Sequence, residues 1–176
     1  MTLFKGHPLI RSRTKLIRKG RQLRNPSQEQ FSIAFTWFYK NKDKFEKLNS
    51  MCDSVSVYGE WMVQQHGMVY DRLPDWFVAF DVYDWSVGKF FDPQKAYQHL
   101  KEAGFAAIQP TRYNLKSPDS LESLANMPSD FANAKREGIY LKISDESWVT
   151  QRFKMVRQGF DQGCLLGDTI KKNVLK

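Results

Sequence analysis

Four short segments of this chain place charge inside stretches whose other residues belong in β-strands. They are Tyr58-Gly59-Glu60-Trp61, Trp76-Phe77-Val78-Ala79-Phe80-Asp81, Arg136-Glu137-Gly138-Ile139-Tyr140-Leu141-Lys142-Ile143 and Arg152-Phe153-Lys154-Met155-Val156-Arg157. A buried charge is costly unless it is paired or binds something. Four charged strands in one small chain therefore predict a pocket for a charged ligand. Arg152 and Lys154 are two residues apart, which puts them on the same face of their strand. Taken singly, each segment has a plainer reading. Tyr-Gly-Glu fits a bulged strand with a surface carboxylate, Phe-Asp fits core followed by a cap, Glu-Gly is a common turn, and terminal basic residues are usually solvated.

The elements that must position these residues can be traced along the chain. Thr2 to Lys5 and Leu9 to Arg13 read as short strands around a Gly6-His7-Pro8 turn. Pro26, Ser27 and Gln30 form a capping-box start, and Phe31, Ala34, Phe35, Phe38, Phe45 and Leu48 recur at helical spacing. That pattern predicts one amphipathic helix from Gln28 to about Leu48, its aromatic stripe buried as core. Val55, Val57 and Gly59 alternate with Ser54, Ser56 and Tyr58, so Ser54 to Val63 reads as a strand. Val69 to Trp76, carrying Pro74, reads as a loop, and Trp76 to Tyr83 as an apolar strand. Asp92-Pro93 opens a helix that Gly104 closes. Phe105 to Ile108 reads as a short strand, and Ser117-Pro118-Asp119 as another helix start. The segment 113–130 is rich in Ser, Asn, Asp and Pro and reads partly as surface loop. Gly138 to Ile143 and Phe153 to Val156 are the last strands. Helices and strands mix without regular βαβ alternation, which predicts an α+β fold with mainly antiparallel sheets and flanking helices. There is no internal repeat or dividing linker, so residues 1–176 are expected to form a single domain with a basic strand segment over 1–24.

Composition narrows the classes further. Hydrophobic residues make up 41% of the chain and aromatics 14%, as in a folded protein. No apolar run is long enough to span a membrane, and the basic N-terminus has no apolar segment that would make it a secretory signal. Cys52 and Cys164 lie in unrelated contexts, which fits a reducing cytoplasm, and three scattered histidines give no zinc-ligand spacing. Eight of the 27 Lys and Arg residues precede the first acid, Glu29, which leaves as many bases as the 19 acids. The net charge of +8 therefore sits in the first 24 residues. Such a block suits a phosphate backbone through counterion release. Its plainer reading is a solvated basic face. The pocket segments downstream favour nucleic acid, with Arg11, Lys15, Arg18, Lys19 and Arg21 as candidate contacts.

In kind and order, the four segments and Ser12-Arg13 resemble the ATP-dependent RNA ligase family of covalent nucleotidyltransferases. The resemblance runs from about Leu9 to Phe160. It implies a ligase-type nucleotidyltransferase domain, with ATP and Mg²⁺ (Mn²⁺ as the alternative) as cofactors and RNA ends as partner. It also implies roles for matched residues. Glu60 would contact the ribose, and Phe80 would lie on the adenine face. Glu137 would serve the metal or the nucleophile. Lys142, Lys154 and Arg13 would contact phosphates, with Arg152 standing where the family often has lysine. The implied reaction passes AMP from a lysine to an RNA 5′-phosphate, from which a 3′-hydroxyl displaces it.

The resemblance also calls for a nucleophilic lysine in a Lys-x-Asp-Gly element shortly before Ser12-Arg13. No lysine in this sequence is followed by x-Asp-Gly. Lys5, the only lysine in the first 11 residues, precedes Gly6-His7 and is not read as the nucleophile. The expectation is an N-terminally truncated family member. Three origins fit: a fragment beginning at an internal methionine, one part of a split enzyme completed by a separate N-terminal segment, or a degenerate, non-catalytic member that binds nucleotide or RNA.

Overall fold

Lys5 and Gly6 both take positive φ, 48° and 77°. Two such residues in succession make a tight hairpin turn whose twist matches that of the flanking strands. It joins strand β1 (Thr2–Phe4) to β2 (His7–Arg11), so the turn lies one step earlier than the expected Gly6-His7-Pro8. The computed structural model describes residues 1–13, 15–17, 29–65, 67–113, 118–160 and 171–176. The remaining elements are β3 (Leu16–Ile17), α1 (Glu29–Lys40), α2 (Lys42–Met51), β4 (Val55–Trp61), β5 (Phe77–Asp84), β6 (Lys89–Phe90), α3 (Pro93–Glu102), α4 (Pro118–Ala125), β7 (Gly138–Ser144) and β8 (Val149–Val156). The strands pair antiparallel as β1-β2-β3, β4-β5-β6 and β7-β8. The fold is α+β with antiparallel sheets, as the interspersed pattern implied.

The helix expected from Gln28 to Leu48 is two helices. Asn41 interrupts it with φ −115° and ψ 22°, and its side-chain Nδ2 donates to the Trp37 carbonyl at 2.8 Å. An asparagine amide that bonds nearby backbone offers the chain an alternative to helix, and here it breaks the run. The predicted Ser27–Gln30 capping box lies outside the described residues. The apolar stripe is core nonetheless. Ala34, Phe35, Phe38, Phe45 and Leu48 are all buried. Phe38 and Phe45 stack at 4.0 Å between centroids, and Phe105 meets Phe45 edge-on at 4.9 Å. With Val57, Val82 and Leu100 they form one apolar cluster under β4 and β5. Each fully buried side chain of this size stabilises the fold by roughly 1.5–3 kcal/mol before entropy is counted.

Two further expectations shift. Phe105 to Ile108 forms a single parallel bridge with Ala79, made by Ala79 N–H to the Ala106 carbonyl at 2.8 Å and Ile108 N–H to the Ala79 carbonyl at 2.9 Å. Pro110 follows closely and cannot donate to a longer ladder. Within 113–130, helix α4 occupies the centre and buries Ala125. Asp92 caps α3 by accepting from the backbone N–H of Gln94 and Lys95, with Pro93 next.

Candidate functional site

The central feature of the site is a bulge in β5. Tyr58 pairs with Asp81 and Gly59 with Ala79, so Phe80 has no partner on β4. An extra residue breaks the strict alternation of a strand and re-aims neighbouring side chains. Two consecutive residues consequently meet the same ammonium group. Lys142, reaching across from β7, places Nζ 2.5 Å from Asp81 Oδ1 and 5.7 Å from the Phe80 ring centroid. The same nitrogen donates to the Phe80 carbonyl at 3.0 Å and lies 5.1 Å from the Tyr140 ring centre. The Phe80 and Tyr140 rings meet edge-on at 5.9 Å.

This pair is withdrawn from solvent: the Asp81 side chain is 1% exposed and that of Lys142 is 10%. Among the described residues, Asp81 Oδ2 has no hydrogen-bond partner. Burial pushes the Asp81 carboxyl above its ordinary value, while Lys142, by charge and hydrogen bond, and then Arg152 pull it down. Arg152 pairs with Lys142 across the β7-β8 ladder and lays its guanidinium 3.9 Å from the Phe90 ring centroid. Lys154 pairs in the same way with Tyr140. Directly opposed residues of an antiparallel pair share a face, so Tyr140, Lys142, Arg152 and Lys154 form one face of this hairpin. Arg152 and Lys154 are exposed on it.

Next to the hairpin, Tyr70 donates its hydroxyl hydrogen to Glu137 Oε1 at 2.5 Å. The Tyr70 phenol is held well above its usual range, first by burial, then by this hydrogen bond and the charge of Glu137, then by the charge of Glu60. Glu60 stands exposed on β4. Glu137 is also gripped through its backbone, its carbonyl accepting from Arg157 N–H at 2.8 Å. Both glycines beside these acids have a steric reason. A Cβ on Gly59 would lie 2.5 Å from the Val78 carbonyl and 2.6 Å from the Phe77 ring, and one on Gly138 would collide with the Met155 carbonyl. An open concavity of about 500 Å³ adjoins this corner, lined among others by Met68, Asp71, Asn133, Lys135, Arg157 and Phe160.

The sequence model of the RNA ligase family matches residues 2–156. The chain belongs to the RNA ligase family. No curated protein and no solved structure matches it. The RNA ligase match takes in Ser12-Arg13 and the charged segments through Val156, the last residue of β8.

Not every expected site residue of this RNA ligase family member is drawn into the same contacts. Phe80 and Lys142 meet at Asp81, with Arg152 opposite Lys142 on the hairpin, and Glu137 meets Tyr70. Ser12 closes the β2-β3 turn, its N–H donating to the Lys15 carbonyl at 2.9 Å, and Arg11, Arg13 and Lys15 stand exposed around that turn. Among the described residues no hydrogen bond or ion pair ties Arg13 or Lys154 to Asp81 or Glu137. Arg18, Lys19 and Arg21 lie outside the described residues. Among those described, no three His, Cys, Asp or Glu side chains cluster as a metal set. Mg²⁺ needs only one or two carboxylates beside phosphate and water, so the absence of a three-ligand cluster is not an argument against it. Two neighbours of the site are absent from the sequence-based set. Asp81 carries a signal, an acid in an otherwise apolar strand, although the resemblance assigns a role only to Phe80 before it. Tyr70 carries none, because it sits in a loop and meets Glu137 from 67 positions away.

Proposed function

We propose that this RNA ligase family chain forms the adenosine and phosphate pocket of an ATP-dependent RNA end-joining activity built on the ligase-type nucleotidyltransferase fold. The carrying observation is the β5 bulge, which sets an aromatic ring, a buried ion pair and the cationic face of β7-β8 side by side. Phe80 offers its face to adenine, a contact of the sort worth about 1–3 kcal/mol per base. Lys154 and Arg152, exposed on that face, neutralise phosphates. Arg152 orients differently from a lysine because its guanidinium is planar and rests on Phe90. Lys142, which the resemblance assigns a phosphate contact, is also the partner of Asp81 and holds Phe80 in place. Glu60 accepts from ribose hydroxyls. Glu137, with Glu60, would hold Mg²⁺, or Mn²⁺ in its place, which supplies counter-charge to the phosphates. The exposed cations Arg11, Arg13 and Lys15 are offered to the RNA backbone.

The sequence supplies no lysine in a Lys-x-Asp-Gly context, so this polypeptide by itself binds ATP without forming a covalent adenylate. A segment bearing that element, supplied separately, completes the site. The second reading, a nucleotide- or RNA-binding module without catalysis, draws on the same missing lysine. Incubation with α-labelled ATP and Mg²⁺ tests both. The expected result is no labelled protein band from the chain alone and a labelled, acid-labile band once a Lys-x-Asp-Gly segment is added. A labelled band from the chain alone overturns the missing-nucleophile reading. ATP binding with no label after the segment is added leaves the binding module in its place.

A further inference from the structure

Beyond the stretch matched by the family model, residues 171–176 thread between two loops and bond to the backbone of both. Gln65 N–H donates to the Lys171 carbonyl, Asn173 N–H to the Val63 carbonyl, Val174 N–H to the Tyr70 carbonyl and Leu73 N–H to the Val174 carbonyl, all at 3.0–3.2 Å. Lys176 N–H then donates to the Leu73 carbonyl at 2.9 Å, and Leu73 is fully buried. Asn173 is the anchor of this strap. It is 4% exposed, and its side chain uses both ends. Oδ1 accepts from Tyr70 N–H at 2.9 Å, while Nδ2 donates to the Met62 carbonyl at 2.8 Å and the Gln64 carbonyl at 3.3 Å. A buried amide with both ends bonded is a rigid bracket, and removing it leaves several backbone groups without partners.

Both backbone groups of Tyr70 are thus held by the strap, the N–H by Asn173 Oδ1 and the carbonyl by Val174 N–H. At its other end the same residue holds the Glu137 carboxylate. We infer that residues 171–176 position Glu137 through Tyr70, with Asn173 and Tyr70 as positioning residues of the nucleotide site. This rests on the reading of Glu137 as part of that site. A carboxylate that must meet a cation or a hydroxyl gains from a partner that fixes its orientation, and loss of such a partner typically costs 10–100-fold in affinity or activity. The strap fixes the loop, the loop fixes the phenol, and the phenol fixes the carboxylate.

The test is MgATP affinity of the full chain by calorimetry for the wild type, Asn173→Ala, Tyr70→Phe, the double variant and Glu137→Ala. Each single positioning variant is expected to weaken binding about tenfold. The double variant is expected to bind no more weakly than the weaker single, because both act through one carboxylate. A purely structural role for Asn173 would instead give losses that add. Wild-type affinity in either Asn173→Ala or Tyr70→Phe overturns the inference, as does additivity. Tyr70→Phe removes one hydroxyl and keeps the ring, so it decides the matter if Asn173→Ala does not fold. If Glu137→Ala binds MgATP as the wild type does, the site reading itself fails. If only Glu137→Ala weakens binding, the site stands and the strap's role falls.

Discussion

Replacing Lys142 by methionine should be far more damaging than replacing its partner Asp81 by asparagine. Asp81 is the more deeply buried member, and among the described residues only one of its oxygens has a partner, the Lys142 ammonium. Without Lys142 a buried carboxylate is left uncompensated, a loss of about 3–5 kcal/mol. Lys142 without Asp81 keeps the Phe80 carbonyl and the faces of Phe80 and Tyr140. The Asp81→Asn loss should be nearer to about 1–3 kcal/mol, as for a single unsatisfied polar group. Against a total stability of about 5–15 kcal/mol the first figure is severe and the second tolerable. The double variant Lys142→Met with Asp81→Asn should recover much of the single Lys142 loss, since no buried charge remains. The pH dependence separates this from simple loss of packing. Burial holds the Asp81 carboxyl above its ordinary 3.8, and Lys142 supplies the first two of the forces pulling it back. The folded chain therefore binds this proton more tightly than the unfolded chain. The stability it contributes is fully present below 3.8 and is lost as pH rises through the folded-state value. Removing Lys142 raises that value further, so the Lys142→Met deficit relative to wild type should shrink as pH falls from about 7 toward 4. Urea unfolding of the four proteins at both ends of that range measures each quantity. A deficit unchanged with pH, or an Asp81→Asn loss equal to that of Lys142→Met, would refute the buried-pair account.

Two further outcomes follow from individual side chains. Asp92→Ala removes the cap of α3 and also the acceptor for Ser144 Oγ at 2.6 Å, which ties β7 to that helix. A loss of about 1–2 kcal/mol is expected from the cap alone, and thermal unfolding should show at least that much. Exchanging Arg11 and Lys15 for alanine should lower the salt slope of single-stranded RNA binding by about 0.7 for each phosphate that these cations neutralise. Filter binding across a salt series reads it, and an unchanged slope would mean that neither cation touches phosphate.

The strands were legible from their apolar and β-branched residues, although Ser56, between Val55 and Val57, is buried as well. Val55 and Val57 face the core as their spacing implied, and β7 lies where the Gly138 to Ile143 pattern put it. The glycines of Tyr-Gly-Glu and Glu-Gly were legible too, and their reason is now steric. The β5 bulge was not legible. It depends on the register of β5 against β4, a property of two segments together, and it turns Phe80 and Asp81 toward one lysine where alternation would send them apart. The break at Asn41 was hidden for the opposite reason. The apolar stripe skips one turn at Asn41-Lys42 but resumes in phase at Phe45, while the competition between the Asn41 amide and the helix backbone is local chemistry that periodicity does not register. Tyr70 and Asn173 were invisible because their partners are distant in the chain, and neither lies in a patterned segment.

The pocket and the adenylate chemistry proposed above need different residues, and packing explains why. The features within the RNA ligase match are those that geometry enforces: a glycine where another strand's backbone crowds in, an acid paired to a lysine across two sheets, an aromatic presented by a bulge. The chemistry of adenylate transfer needs one more group, an amine able to attack phosphorus, and no packing requirement of these sheets demands it. On the function proposed above, the pocket and the nucleophile are then separable. In that case ATP affinity and self-adenylation separate cleanly. Substitutions at Phe80, Glu137 or Lys154 should lower the first whether or not the second occurs, which ties pocket function to the fold rather than to turnover.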